Sequence, residues 1–403
     1  MSYDVVVIGA GAFGCSLAYH LGRAGQRVAL MDRVGVASQT SPRAAGLFKH
    51  VQSTATRTAL AALSARKVIN FEQETGIPLP AVRSGSLMVA SRPAHAEHLK
   101  REVGQARAWG AGVELVDAPT ASRLMPMLRA EKLLAIAHVP DDLYIDEPKQ
   151  LLDAYLRAAV RTGVDVLPHT SVTGIHVEHG ETRGVVTSRG KADAPVVVDA
   201  AGAWARAVGA LAGAYLPVVS LRHQLYITDA IDGMEPQFPI IRFVDAAVYA
   251  RPARQGILVG AFEADPLPLD VGHREGFSME QTPLDFSVLA KSRATIEEYV
   301  PALKDATVRE HRGGLFTMTA DGQFIAGPVS GIRGLWVMTG CNGSGFSFSP
   351  GLGQTVSEWI VDGAPSIDLN EFSPMRVSGK PLDEAGLTAA CVWQYAHYYD
   401  PAS

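Results

Sequence analysis

The apolar positions of this chain follow two periods. Tyr3-Asp4-Val5-Val6-Val7-Ile8 is a β-branched apolar run without alternation, the pattern of a strand covered on both faces. It passes into Gly9-Ala10-Gly11-Ala12-Phe13-Gly14, then into helical periodicity over 15–23 closed by Gly25. A second apolar run, Arg27 to Met31, ends on Asp32. Helical patterns return over 56–74, 94–109, 149–161 and 284–300. The first of these stops at Gly76 and Pro78, and the third stops before Gly163. Strands are expected at 85–90, 164–167, 172–177 (the start of a β-meander that includes Val172), 194–199, 248–252, 256–260 and 335–339. In Leu221-Arg222-His223-Gln224-Leu225-Tyr226-Ile227, period two puts His223 on the face of Leu221, Leu225 and Ile227.

Two further stretches carry small residues at the end of a buried strand. Val198-Asp199-Ala200-Ala201-Gly202-Ala203-Trp204 breaks at residues that permit close approach to a ligand. Gly340-Cys341-Asn342-Gly343-Ser344-Gly345-Phe346 follows the strand at 335–339. Ser349 is expected as the N-cap of the next helix and Pro350 as its first residue. Gly351 and Gly353 weaken that helix by propensity, which suggests something flat and bulky against its start. Residues 264–283 form a loop rich in Pro and charge, either a lid or an irregular insertion. Residues 366–403 are expected as a tail with aromatics at Trp393, Tyr395, Tyr398 and Tyr399.

Composition narrows the class. The 403 residues exceed what one core usually holds, so two domains are expected. Hydrophobic content of 47% with 19% charged residues fits a packed globular enzyme. A net charge of −5 implies no nucleic-acid surface. Cys15, Cys341 and Cys391 are too scattered for a disulfide framework, and no metal site is expected. The apolar start is interrupted by Asp4 and lacks a basic region, and no run reaches the roughly 18 residues of a membrane span. A cytoplasmic protein is therefore the expectation.

The chemistry starts at the first glycine turn. Gly9 allows the tight strand-to-helix turn, Gly11 lets the backbone approach a pyrophosphate, and Gly14 lets the helix pack on the strand. Free N–H groups at the helix start then face the phosphates. Asp32, 18 residues after Gly14, stands where a carboxylate binds a ribose hydroxyl pair. In the loop after Asp32, Arg43 either meets a phosphate or flavin carbonyl or is a solvated arginine. The second glycine-rich turn near 340–345 favours FAD over NAD, because a helix start against a flavin stabilises the negative charge of its reduced form. An NAD(P) enzyme with Arg33 reading a 2′-phosphate is the alternative.

Taken together, these motifs resemble the D-amino acid oxidase superfamily of FAD-dependent oxidoreductases, in the branch of glycine oxidase, sarcosine oxidase and dimethylglycine dehydrogenase. The resemblance is carried by Gly9, Gly11, Gly14 and Asp32; by Ser41-Pro42-Arg43-Ala44-Ala45-Gly46; by Val198 to Trp204; by Leu221-Arg222-His223-Gln224; by Ala320 to Pro328; and by the turn from Gly340 to Gly353. It spans 1–363. The implied fold is α/β: a Rossmann-like FAD-binding domain of parallel sheet and β-meander over 1–80, 145–212 and 311–365, and an antiparallel-sheet α+β substrate domain over 81–144 and 213–310. The implied FAD contacts also include Phe13, Arg33, Val172, Ala200, Gly202, Trp204, Gly314, Gly343, Ser344, Gly345 and Phe346.

The resemblance implies hydride transfer to a flavin from the carbon beside an amine nitrogen, followed by imine hydrolysis. His223 and Tyr249 match the histidine and tyrosine beside the substrate in dimethylglycine enzymes. Read from the residues alone, His223 is equally a hydrogen-bonded core histidine, and Tyr249 a strand aromatic. Three departures restrict the inference. The carboxylate-clamping arginine of glycine oxidase relatives is absent from Gly314-Leu315-Phe316-Thr317, unless Arg242, Arg251 or Arg312 substitutes. Arg43 and Gly314 occupy the places of covalent flavin anchors, so FAD is expected to be non-covalent. The lysine that assists oxygen in sarcosine oxidase falls near Leu258. The expected substrate is a secondary or tertiary amine, and the electron acceptor is either O2 or an electron-transfer partner. The tail resembles the segment that leads into the folate-binding part of dimethylglycine dehydrogenase, and with the missing lysine it allows a flavin subunit within a larger assembly.

Overall fold

The computed structural model describes residues 2–274, 276–377 and 382–400. The expected tail therefore includes residues 378–381 and 401–403, which lie outside the described residues. Among the described residues no helix is long and apolar enough to cross a membrane.

A six-stranded sheet organises the nucleotide half. Its order is Ile325–Pro328, Leu335–Thr339, Val196–Asp199, Val5–Ile8, Val28–Met31 and Asp165–Leu167. All neighbours are parallel except the first pair. Val5–Ile8 is central, with Val28–Met31 on one side and Val196–Asp199 on the other. Chain order therefore reverses at this strand, and ligands of open α/β sheets bind beyond the carboxyl ends at such a point. The apolar run without alternation is explained directly: Val5, Val6 and Val7 are at most 1% exposed because both faces are covered. The helices Ala12–Arg23, Ala55–Ile69, Lys149–Arg161 and Gly345–Asp362 cover one face. A three-stranded antiparallel meander, Val172–Glu178, Glu181–Thr187 and Gly190–Asp193, covers the other.

The second sheet has eight strands in the order Val308–Met318, Val219–Thr228, Gly256–Ala261, Val248–Ala253, Ile240–Phe243, Ser86–Ala90, Ala135–Val139 and Glu114–Leu115. Every pair is antiparallel but one, Ile240–Phe243 beside Ser86–Ala90. The α/β class thus holds, with one parallel pair inside the antiparallel layer. The boundary expected at 311 falls inside the strand Val308–Met318, which pairs along its length with Val219–Thr228.

Three sequence expectations fail locally. The pattern over 56–74 is two helices, Ala55–Ile69 and Phe71–Thr75, broken at Asn70. The late helix begins at Gly345 with Ser344 as N-cap, so Ser349 and Pro350 lie inside it. Pro350 has no N–H for the Phe346 carbonyl, and that carbonyl instead accepts the Ser349 hydroxyl at 2.9 Å. Gly351 and Gly353 also face protein rather than a flat ligand. A Cβ on Gly351 would lie 2.8 Å from the Leu60 carbonyl oxygen, and one on Gly353 would lie 2.3 Å from Ser16 Oγ. These glycines let three helices pack at close range.

Candidate active site

Three parallel strands deliver turns of small residues to the same carboxyl edge: Val5–Ile8 into Gly9–Gly11, Val196–Asp199 into Ala200–Gly202, and Leu335–Thr339 into Gly340–Gly345. Gly9 has φ +102°, and a Cβ there would sit 2.6 Å from the Ala200 carbonyl oxygen. The first two turns therefore interlock only because glycine stands at that position. A cavity of about 460 Å³ opens over this edge.

Of the expected cofactor residues, all but Gly14 line the cavity. Gly14 lies behind the turn, where a Cβ would fall 1.8 Å from the Gly9 carbonyl oxygen, so its part is helix–strand contact. Asp32 accepts the Ala10 N–H through Oδ2 and the Val34 N–H through Oδ1, both at 2.9 Å, which fixes its carboxylate at the cavity rim. Ser41 Oγ accepts the Ala12 N–H at 3.1 Å. The helix start at Gly11 has no side-chain cap, and the late helix start at Ser344 has none either. Both uncapped ends line the cavity, an arrangement suited to phosphate at one and an anionic ring edge at the other.

Arg33 stacks over Trp204 with its Cζ 4.7 Å from the ring centre and donates to the Phe277 carbonyl at 2.9 Å. Arg43 donates through Nη1 to the carbonyls of Ser38 and Gln39, at 3.0 and 2.6 Å. It therefore shapes its own loop as well as facing the cavity. The loop over 264–283 packs on this end: Met279 N–H donates to Gln39, and Phe277 meets Trp204 at 6.4 Å between ring centres.

The opposite end is built on the eight-stranded sheet. His223 is buried and lines the cavity. Its Nε2 is 2.8 Å from the Tyr249 hydroxyl and its Nδ1 is 2.7 Å from the Tyr395 hydroxyl. Its ring stacks on Phe316 at 4.2 Å. Burial pushes the His223 imidazolium down to about 3, so the ring is neutral in ordinary buffers, and burial raises both tyrosines. On the reverse face of the same strand, Arg222 and Gln224 bond to Glu263, which fixes the strand that carries His223.

Sequence inspection missed Tyr395 as a site residue. It stands on the helix Glu384–Ala396, 172 residues from His223, and only its aromatic neighbourhood was visible in advance. It also missed Gly260. The Tyr249 ring lies across that glycine, and a Cβ would be 2.2 Å from its hydroxyl. Gly260→Ala is therefore expected to displace Tyr249 and slow substrate-dependent flavin reduction by about tenfold or more, while flavin absorbance is retained. Anaerobic stopped-flow with purified protein measures this, and an unchanged rate would show that Tyr249 does not act from this position.

Comparison with known proteins agrees with this geometry. The family model "FAD dependent oxidoreductase" (DAO) matches residues 4–359. Human mitochondrial sarcosine dehydrogenase is 30% identical over 93% of this chain and 41% of its own length. The 4-methylaminobutanoate oxidase (formaldehyde-forming) of Paenarthrobacter nicotinovorans is 30% identical over 93% of this chain and 45% of its own. The chain thus spans less than half of these curated relatives. Among solved structures, L-proline dehydrogenase from P. horikoshii superposes with a TM-score of 0.83 at 22% identity, covering 93% of this chain and 97% of that one. With the family model matching residues 4–359 and three turns of small residues gathered at one cavity edge, the chain belongs to the DAO family of FAD-dependent oxidoreductases.

Proposed function

We propose that this protein oxidises a secondary or tertiary amine, of the N-methyl or cyclic amino-acid-like type, with non-covalent FAD held by the residues of the cavity edge. The observation that carries this reading is His223 held between the hydroxyls of Tyr249 and Tyr395 on the wall that faces the late glycine turn. When bound, FAD supplies a hydride acceptor. The chain's own residues supply orientation and control of protonation. His223 Nδ1 lies against the Tyr395 hydroxyl and Nε2 against the Tyr249 hydroxyl, so the neutral imidazole donates to one phenol oxygen and accepts from the other. Tyr249 lines the cavity, and its hydroxyl is placed to hydrogen-bond a substrate amine. With both tyrosines and the histidine neutral, this wall favours the free-base amine over the ammonium ion.

Three outcomes follow. Anaerobic mixing with a panel of N-methyl and cyclic amines bleaches the flavin; bleaching by a hydroxy acid and by no amine would refute the substrate class. The rate of bleaching rises with pH along the titration of the substrate amine, with no enzyme group between about pH 5 and 8, because His223 stays unprotonated there. Tyr395→Phe removes one hydrogen bond and slows bleaching by roughly threefold to tenfold. An enzyme-derived inflection near pH 6.5 would contradict the assignment of His223. Peroxide release in air identifies O2 as acceptor, and its absence points to a protein partner.

A further inference from the structure

The helix Glu384–Ala396 and the turn after it bring three tyrosines to the wall of the cavity from beyond residue 359, where the match to the family model stops. Tyr395 faces His223, and Tyr399 lies in hydrogen-bond contact with Arg242. Tyr398 meets the late glycine turn instead. Its ring stacks on Phe262, with centres 4.1 Å and planes 8° apart, and Phe262 packs on His223 at 5.0 Å. Its hydroxyl lies 3.3 Å from Ser344 Oγ. Ser344 is 8% exposed, and Tyr398, Phe262 and Ser344 all line the cavity.

Ser344 stands at the N-cap of the helix Gly345–Asp362, where a serine hydroxyl ordinarily accepts an N–H of the first turn. Here it caps nothing. Its backbone has ψ 5° instead of the extended value of a capping serine, and its hydroxyl meets Tyr398. Two hydroxyls in contact carry two protons, and only one of these can lie between them. One O–H of the pair is therefore left for a ligand. Thr339, on the strand that leads into this turn, repeats the pattern. It is 1% exposed and lines the cavity, and its hydroxyl has no hydrogen-bond partner among the described residues. A buried hydroxyl without a partner is costly, so this edge suits a polar ligand.

We propose that Tyr398 donates to Ser344 Oγ and so aims the serine O–H at the flavin beside the late helix start. Tyr398 is then a positioning residue, supplied by a segment outside the family-matched residues. The pair adds one side-chain donor to the backbone N–H groups of the helix start, on the side where negative charge gathers on reduction. It stabilises reduced FAD more than oxidised FAD for that reason. The inference rests on FAD alone and goes beyond the amine reading. Its test needs no substrate, and its failure leaves that reading untouched.

The test measures the two-electron reduction potential of FAD-loaded full-length protein against a reference dye. Tyr398→Phe keeps the ring on Phe262 and removes only the phenol oxygen. It is expected to lower the potential by about 20–30 mV, a roughly fivefold to tenfold shift in the reduction equilibrium. Ser344→Ala is expected to lower it by the same amount. The double variant is expected to go no further than either single one, because the same donor is lost in all three. An unchanged potential in Tyr398→Phe overturns the proposal, and so does a double variant whose shift is the sum of the two. Equilibrium dialysis of the same proteins gives the affinity for oxidised FAD, expected within about twofold of the parent. Weakened binding of oxidised FAD at an unchanged potential would mark Tyr398 as packing alone and overturn the positioning role.

Discussion

Gly14→Ala is expected to give protein that is colourless after purification and less stable than the parent by roughly 3 kcal/mol, at the upper end of overpacking costs. The reason is geometric. The new methyl would lie 1.8 Å from the Gly9 carbonyl oxygen and 3.0 Å from its carbon, and both atoms are backbone that cannot rotate away. The helix Ala12–Arg23 must then move off the central strand, and its free N–H groups move with it. Urea unfolding reports the stability, and the flavin absorbance of dialysed protein reports binding. A variant that stays yellow with an unaltered midpoint would show that the contact relaxes without cost.

The second large effect concerns Asp142, which is fully buried between four donors. It accepts from the His50 N–H at 2.8 Å, His50 Nδ1 at 3.0 Å, the Ser86 hydroxyl at 2.6 Å and Arg242 Nη1 at 2.8 Å. Asp142→Ala leaves the Arg242 guanidinium buried without a counter-charge, and is expected to destabilise the protein by about 3–5 kcal/mol. The same site has a pH signature. Burial alone would raise the Asp142 carboxyl, but Arg242, His50 and Ser86 outweigh it and hold it at about 2. A carboxyl lowered in the folded state favours folding above its unfolded value near 4, and that contribution fades as pH falls towards about 2. The parent should lose on the order of 2 kcal/mol across that window, and Asp142→Ala should lose less. Parallel acid titrations followed by circular dichroism measure the difference; identical acid midpoints would remove Asp142 from the account.

Much of the nucleotide half was legible because its signals are local. Gly9, Gly11, Gly14 and Asp32 lie within one strand–helix–strand unit, and each has a backbone reason to be what it is. The strand carrying His223 was legible for a related reason, since period two assigned its side correctly. The alternation did not reveal that the reverse face is buried as well, where Arg222 and Gln224 are 7% and 0% exposed in a network around Glu263. Pro350 misled because its preference for a helix start is a tendency of short range. Here the Ser349 hydroxyl satisfies the freed carbonyl and the helix continues through it. Tyr395, Gly260 and the Arg242–Asp142 pair were out of reach for a different cause. Their meaning arises only when strands and helices far apart in sequence are brought together, and no periodicity within a window encodes that contact.

The contact between His223 and Tyr395 has a consequence for biosynthesis. With 172 positions between them, a ribosome moving at about 5–20 residues per second exposes the imidazole roughly 10–30 seconds before its second phenol exists. The late glycine turn, Gly340–Gly345, is also made well after the imidazole, so cavity edge and histidine wall are both completed only near the end of synthesis.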